Sequence, residues 1–179
     1  SSANVDPVEK KPLFHFYPGS RVFSIGSLGC TFRCLHCQNY TISMASLGEF
    51  GTRDMTPQEV VDIALEHRCQ GIAFTYNEPL VSFEYVRDTA RLAHEAGLVN
   101  VLVTNGMVNP EPLAELLPLI DAANVDLKGF SQESYDFVGG NFEAVRATIR
   151  ALAACETCHV EVTTLIVPGM NDAEDEINA

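Results

Sequence analysis

The stretch Arg21-Val22-Phe23-Ser24-Ile25-Gly26-Ser27-Leu28-Gly29-Cys30-Thr31-Phe32-Arg33-Cys34-Leu35-His36-Cys37 joins a strand-like run to three closely spaced cysteines. Its first five residues are mostly apolar, which is typical of a buried strand. Cys30, Cys34 and Cys37 have the spacing C-x3-C-x2-C, and a basic side chain precedes each of the last two. Thiols that serve only for packing are usually deeply buried, so three of them in a polar loop indicate metal binding.

Three thiolates can bind three irons of a [4Fe–4S] cluster and leave the fourth iron open, whereas ferredoxin-type carriers close the cluster with four thiolates. An open iron can bind the amino and carboxylate groups of S-adenosylmethionine, and one electron then breaks the sulfonium bond to release a 5′-deoxyadenosyl radical. A structural zinc site that includes His36 is an alternative, but the next cysteine, Cys69, has no partner beside it. Packing thiols are the third reading.

Composition excludes several classes of protein. A net charge of −13 opposes nonspecific binding to nucleic acid, whose affinity depends on phosphate neutralisation. No run of about 18 apolar residues is present to predict a membrane span. Six cysteines without an apolar leader in the first residues predict a reducing, cytoplasmic location.

Strand-like and helix-like patterns alternate along residues 21–179, after a lead-in over residues 1–20 that we expect to be irregular. The predicted strands are 21–27, 71–77, 100–106, 123–129 and 159–168. The predicted helices are 57–69, 80–96, 111–120, 132–138 and 142–155. This alternation predicts an α/β fold built of βαβ units around a parallel sheet.

Polar residues follow three of the predicted strands at their carboxyl ends. They are Asn77, Glu78, Thr104, Asn105, Asp126 and Lys128. In parallel α/β barrels this rim carries the active site, and the cysteine loop also follows a strand end. A second pair, Cys155 and Cys158, has redox-motif spacing but ends a helix rather than opening one, which favours inert thiols.

Six stretches, taken in order, resemble the radical S-adenosylmethionine superfamily. They are 11–20, 30–39, 75–79, 104–106, 124–128 and 162–172. Within the superfamily, they are most similar to the pyruvate formate-lyase activating enzyme group and to the radical enzyme of the AmmeMemoRadiSam system. The resemblance implies a partial (β/α) barrel with helices outside the parallel sheet. It also implies that Cys30, Cys34 and Cys37 bind the [4Fe–4S] cluster and that His36 lies near the adenine.

The same resemblance implies roles for the rim residues. The segment Tyr76-Asn77-Glu78-Pro79 matches the Gly-Gly-Glu motif that binds the amino group of S-adenosylmethionine, with Tyr76 and Asn77 in place of the two glycines. Thr104 and Asn105 match the strand end that contacts the ribose and carboxylate.

Asp126 and Lys128 are two apart on a strand and face the same way, near the cofactor in relatives. Other readings remain for each group. Asn77 and Glu78 could simply open a helix, Asn105 could belong to a turn, and Asp126 and Lys128 could form a structural ion pair.

We therefore predict a radical S-adenosylmethionine enzyme with an unidentified substrate, a protein being one candidate, and an electron donor such as ferredoxin or flavodoxin. The alternatives are a glycyl-radical enzyme activase that acts on a partner protein and a noncatalytic zinc or Fe–S binding domain. The acidic run 171–176 resembles the first turn of a helix. We accordingly expect residues 21–179 to be a C-terminally truncated core domain.

Overall fold

A computed structural model of the chain describes residues 2–46, 48–49 and 51–178, which form a six-stranded sheet with its strands in chain order. The strands are β1 (Ala3–Pro7), β2 (Arg21–Ile25), β3 (Gly71–Phe74), β4 (Val99–Thr104), β5 (Ala122–Asp126) and β6 (His159–Thr163). Strands β2 to β6 pair in parallel. In the described part of the chain β1 and β6 are the two edges, so the sheet is an open, partial barrel and the predicted fold class is confirmed.

Helices connect the parallel strands. They are α1 (Tyr40–Ser43), α2 (Pro57–Glu66), α3 (Phe83–Glu95), α4 (Pro110–Leu116), α5 (Gln132–Asp136), α6 (Phe142–Ala154) and α7 (Glu174–Ile177), with 3-10 turns at Val8–Lys10, Pro79–Ser82 and Leu117–Leu119. Helix α2 begins with a capping box, in which the Thr56 hydroxyl accepts the Glu59 N–H and the Glu59 carboxylate accepts the Thr56 N–H. None of the helices in the described residues is long and apolar enough to span a membrane.

The expectation of an irregular lead-in over residues 1–20 is wrong. Residues Ala3–Pro7 form β1, which pairs antiparallel with β2, and a 3-10 turn follows. Asn, Asp and Pro are depleted in strands, so local composition hides this element. Tertiary contacts hold it: the Asp6 carboxylate accepts hydrogen bonds from Lys11 Nζ at 2.8 Å and from the Tyr76 hydroxyl at 2.6 Å.

The sheet is covered on both faces. The helices pack on one face over the larger apolar core, which includes Phe23, Phe74 and Leu102. A smaller apolar cluster on the other face includes Val8 and Leu13 from the segment that follows β1. Both faces of the central strands are therefore buried, and their side chains are mostly apolar, with Ser24, Asn100 and Asn124 as buried polar exceptions.

Gly71 allows β3 and β4 to approach each other closely. A Cβ at this position would lie 2.0 Å from the carbonyl oxygen of Val99, its partner in the ladder. We expect Gly71→Ala to lower the free energy of unfolding by about 1–3 kcal/mol or more, since backbone cannot move aside without breaking the ladder. Urea unfolding measures this. Gly51→Ala is the control because a Cβ at Gly51 meets nothing within 4 Å, and equal midpoints for the two variants would contradict the steric argument.

Candidate active site

The cysteine loop, residues 26–39, leaves the carboxyl end of β2. Its Arg33 N–H donates to the Val138 carbonyl at 2.8 Å. The Phe32 side chain is buried and lies edge-on to the Tyr135 ring. Gly140 leaves space for the Phe32 ring, because a Cβ at position 140 would lie 2.7 Å from a ring carbon of Phe32. Phe32 therefore anchors the loop, while the cysteines around it remain half-buried.

The three thiols of the loop are reduced and close enough to affect one another electrostatically. Burial raises the pKa of Cys34 to about 11, the Lys128 cation opposes this rise, and Cys30 and Cys37 add to it. Burial also raises the pKa of Cys30. Thiols bind metals as thiolates. Because burial keeps these thiols protonated, a cationic metal centre that binds them would have to displace their protons. Across the described residues, no three His, Cys, Asp or Glu side chains are arranged to hold a single metal ion.

Asn77 fastens the start of the cysteine loop. Its Oδ1 accepts the Ser27 N–H at 3.0 Å, and its Nδ2 donates to the Ser27 hydroxyl at 2.9 Å and to the Gly29 carbonyl at 2.7 Å. The neighbouring Tyr76 has φ +74°, a conformation that favours glycine. Its carbonyl accepts a hydrogen bond from Asn39 Nδ2 at 2.7 Å. The side chain of Asn77 is thus engaged within the chain and positions the loop that carries Cys30.

Glu78 is a buried carboxyl group that joins two strand ends. Its Oε1 accepts from the Thr104 hydroxyl at 2.8 Å and from the Leu80 N–H at 3.1 Å, and its Oε2 accepts the Asn105 N–H at 2.8 Å. Burial raises its pKa to about 7 even though these donors favour the ionised form. Three of about four acceptor positions are filled, so Oε2 has capacity for one more donor.

Thr104 and Asn105 link Glu78 to the cysteine loop. Asn105 Nδ2 donates to the Thr31 hydroxyl at 2.8 Å and to Cys30 Sγ at 3.7 Å. Hydrogen bonds to a metal-bound sulfur tune the reduction potential of an iron–sulfur cluster. The two hydrogen bonds to Thr31 and Cys30 fix the orientation of the Asn105 side chain.

Asp126 and Lys128 lie close enough to His36 and Cys34 to influence their pKa values. Lys128 Nζ donates to Asp126 Oδ2 in an ion pair. Asp126 Oδ1 and His36 Nε2 are both buried without a hydrogen-bond partner. Burial lowers the pKa of His36, and the Lys128 cation lowers it further. Buried polar atoms are normally satisfied, so these two atoms are free for a bound group.

The predicted site residues therefore surround one loop. Their donor set comprises three reduced thiols and two unsatisfied polar atoms, which fits a thiolate-bound cluster together with a polar cofactor. Sequence reasoning missed Asn39, whose only signal is its position two residues after Cys37. It also missed the buried Asn171, which donates to the carbonyls of Lys128 and Leu165 at 2.9 Å each and closes the rim beside β5.

A sequence model of the Radical SAM superfamily matches residues 24–178. The chain belongs to the radical S-adenosylmethionine superfamily. It is 47% identical over 176 residues to the uncharacterized protein MJ0808 of Methanocaldococcus jannaschii, covering 98% of this chain and 52% of that protein.

Activating enzymes are also among the relatives. The chain is 26% identical to pyruvate formate-lyase 1-activating enzyme of Escherichia coli K12, with 88% of this chain and 65% of that enzyme covered. A solved domain of pyruvate-formate lyase-activating enzyme from Bacteroides vulgatus shares the fold, with a TM-score of 0.52 and 22% identity over 60% of this chain and 66% of that one. The chain thus spans between about half and two thirds of the curated relatives it matches.

The pKa of Glu78 predicts how stability depends on pH. Its value is raised from 4.5 to about 7, so between these pH values the folded state binds more protons than the unfolded state. Stability from this group is therefore complete below pH 4.5 and falls as pH rises to 7. We expect the difference in unfolding free energy between wild type and Glu78→Gln to fall by about 3 kcal/mol across this interval, as measured by urea unfolding of the metal-free chain.

Glu161→Gln is a control of opposite sign. Burial alone would raise the pKa of Glu161, but the N–H groups of His15 and Phe14 lower it to about 2. Its contribution to stability should be constant above pH 4.5 and decline as pH falls toward 2. A flat or rising wild-type-minus-variant difference for Glu78 between pH 4.5 and 7 would refute the burial argument.

Proposed function

We propose that this chain forms the catalytic core of a radical S-adenosylmethionine enzyme, with Cys30, Cys34 and Cys37 as ligands of a [4Fe–4S] cluster. When bound, the reduced cluster would supply the electron for cleavage of S-adenosylmethionine, and the chemistry it would support is hydrogen abstraction from the substrate by a 5′-deoxyadenosyl radical. The observation that carries the proposal is the pair of buried, unsatisfied atoms, Asp126 Oδ1 and His36 Nε2, beside three reduced thiols.

The residues of this chain would bind and orient the two groups. Asn77 holds the backbone of the loop before Cys30, and Asn105 donates to the Cys30 sulfur. Lys128 places a cation beside Cys34, which offsets part of the charge of a thiolate. These contacts would preorganise the three cysteines for binding a cluster.

Three side chains would contact S-adenosylmethionine. Asp126 Oδ1 can accept a hydrogen bond from a hydroxyl or ammonium group, and Glu78 Oε2 can accept one more hydrogen bond. His36 presents a half-buried ring beside Cys37, consistent with contact to an adenine. Thr104 and Asn105 would act mainly by holding Glu78 in place.

The metal content tests the cluster assignment. We expect the chain, reconstituted without oxygen, to hold about four irons and about four sulfides. Alanine at Cys30, Cys34 or Cys37 should abolish this content, because each substitution removes one iron ligand. Cys69→Ala is the control, since Cys69 is buried in the helix-side core. Stoichiometric zinc without iron would instead support the zinc-binding alternative.

Binding of S-adenosylmethionine tests the role of the rim. We expect the cofactor to change the electron paramagnetic resonance spectrum of the reduced cluster, and Asp126→Ala to weaken cofactor binding at least tenfold because a buried acceptor is lost. Glu84→Ala, in the first turn of α3, should leave affinity unchanged. If the spectrum of the fully loaded protein is insensitive to S-adenosylmethionine, the chain is an Fe–S binding domain rather than an enzyme of this class.

The likeness to pyruvate formate-lyase 1-activating enzyme favours a second candidate, in which the substrate is a glycine in a partner protein. In either case the reduced state requires a one-electron donor such as ferredoxin or flavodoxin. Six reduced cysteines in the described residues are consistent with a cytoplasmic location. Stable association with a large partner, and a glycyl radical formed on it, would distinguish the activase from an enzyme that acts on a small molecule.

A further inference from the structure

The connection between α6 and β6 holds two cysteines that the proposed reaction does not use. Cys155 and Cys158 lie directly before β6, at the edge of the sheet where the parallel strands begin. The cysteine loop lies at the opposite edge, where the strands end. The two groups of thiols are therefore separated by the length of the strands and form different sites.

A turn brings the two cysteines together. The Cys158 N–H donates to the Cys155 carbonyl at 3.1 Å and closes a four-residue turn. Such a turn keeps its first and fourth α-carbons within about 7 Å. Disulfides join α-carbons that are about 4.4–6.8 Å apart, so the turn provides a suitable separation. Both thiols are reduced in the structure.

The two sulfur atoms have unlike surroundings. Cys155 is partly exposed, and its Sγ lies 3.3 Å from the Thr157 hydroxyl. Cys158 is buried, and its Sγ donates to the His159 carbonyl at 3.7 Å. Hydrogen bonds from the Thr157 hydroxyl and backbone N–H lower the pKa of Cys155, whereas burial raises that of Cys158 to about 12. An accessible thiol stabilised as a thiolate beside a protected thiol is the arrangement of a reactive cysteine with its resolving partner.

We propose that Cys155 and Cys158 form a redox-active dithiol, in which Cys155 attacks an oxidised small-molecule disulfide and Cys158 resolves the product. In the first step the Cys155 thiolate bonds to one sulfur of that disulfide and releases the other as a thiol. In the second step Cys158 loses its proton and attacks Cys155 Sγ, which releases the second thiol. Two electrons pass from the protein to the small molecule, and the protons of the two cysteines leave on the two released thiols.

The sequence provides a clean way to detect the product. No lysine or arginine follows Arg150 in the 179-residue chain, so trypsin releases residues 151–179 as one peptide that contains Cys155 and Cys158 and no other cysteine. The full 179-residue chain, reduced and without added iron, would be equilibrated with glutathione disulfide, quenched with acid and alkylated before digestion. Mass spectrometry should find this peptide two hydrogens lighter and without alkyl groups.

Single variants separate the two roles. Cys158→Ser should retain glutathione on Cys155 as a stable mixed disulfide, whereas Cys155→Ser should take up almost none while folded. Thr157→Val should slow alkylation of Cys155 several-fold at neutral pH, because the hydroxyl that stabilises the thiolate is lost. Cys69→Ser should leave the yield of the cross-linked peptide unchanged.

Two results would overturn the proposal. One is a peptide that remains a dithiol in excess glutathione disulfide, or that cross-links only in urea. The other is alkylation of Cys155 and Cys158 at equal rates in the folded chain. Because every readout is taken without iron or S-adenosylmethionine, failure here is distinct from failure of the proposed enzyme activity.

Discussion

The carboxyl group of Glu78 lies between the ends of β3 and β4 without access to water, and the rim of the sheet is organised around it. Its oxygens accept one hydroxyl and two backbone N–H groups, so the segment after β3 and the end of β4 share one buried acceptor. Removing such an acceptor leaves several donors unsatisfied in a nonpolar environment. The loop after β3 is therefore held against the end of β4.

The geometry of the cysteine loop follows from this arrangement. Asn77, which precedes Glu78, donates to the Gly29 carbonyl, and Asn105, whose N–H donates to Glu78, donates through its side chain to the Thr31 hydroxyl. Phe32 supplies the third point of attachment by packing into the helix-side core. The three cysteines therefore lie on a loop whose backbone is held by Asn77, Asn105 and Phe32, which limits the positions that their thiols can take.

Electrostatics at the rim are balanced locally despite the strongly acidic chain. Lys128 is the only lysine outside the pair Lys10 and Lys11, and it lies beside Asp126 and Cys34. Lys11 is itself buried, paired with Asp6 and positioned over the Tyr76 ring. Each lysine with a largely buried side chain thus compensates a nearby carboxylate, which offsets part of the free energy of burying both charges.

The sequence alone determined the alternation of strands and helices, the position of the cysteine loop after β2 and the set of polar residues at the rim. Periodicity and spacing are local properties, and parallel strands bring their carboxyl ends to one edge whatever the loops do. Strand β1 was not predicted because Asn4 and Asp6 have low strand propensity. Pairing with β2 and the hydrogen bond from Tyr76 hold these residues in an extended conformation.

Only the tertiary structure decided which rim side chains form hydrogen bonds within the protein. Asn77 accepts the N–H of Ser27, which is 50 residues away in sequence, while Asp126 Oδ1 has no hydrogen-bond partner. Hydrogen-bond partners and burial depend on which distant segments approach each other, and no local pattern records that.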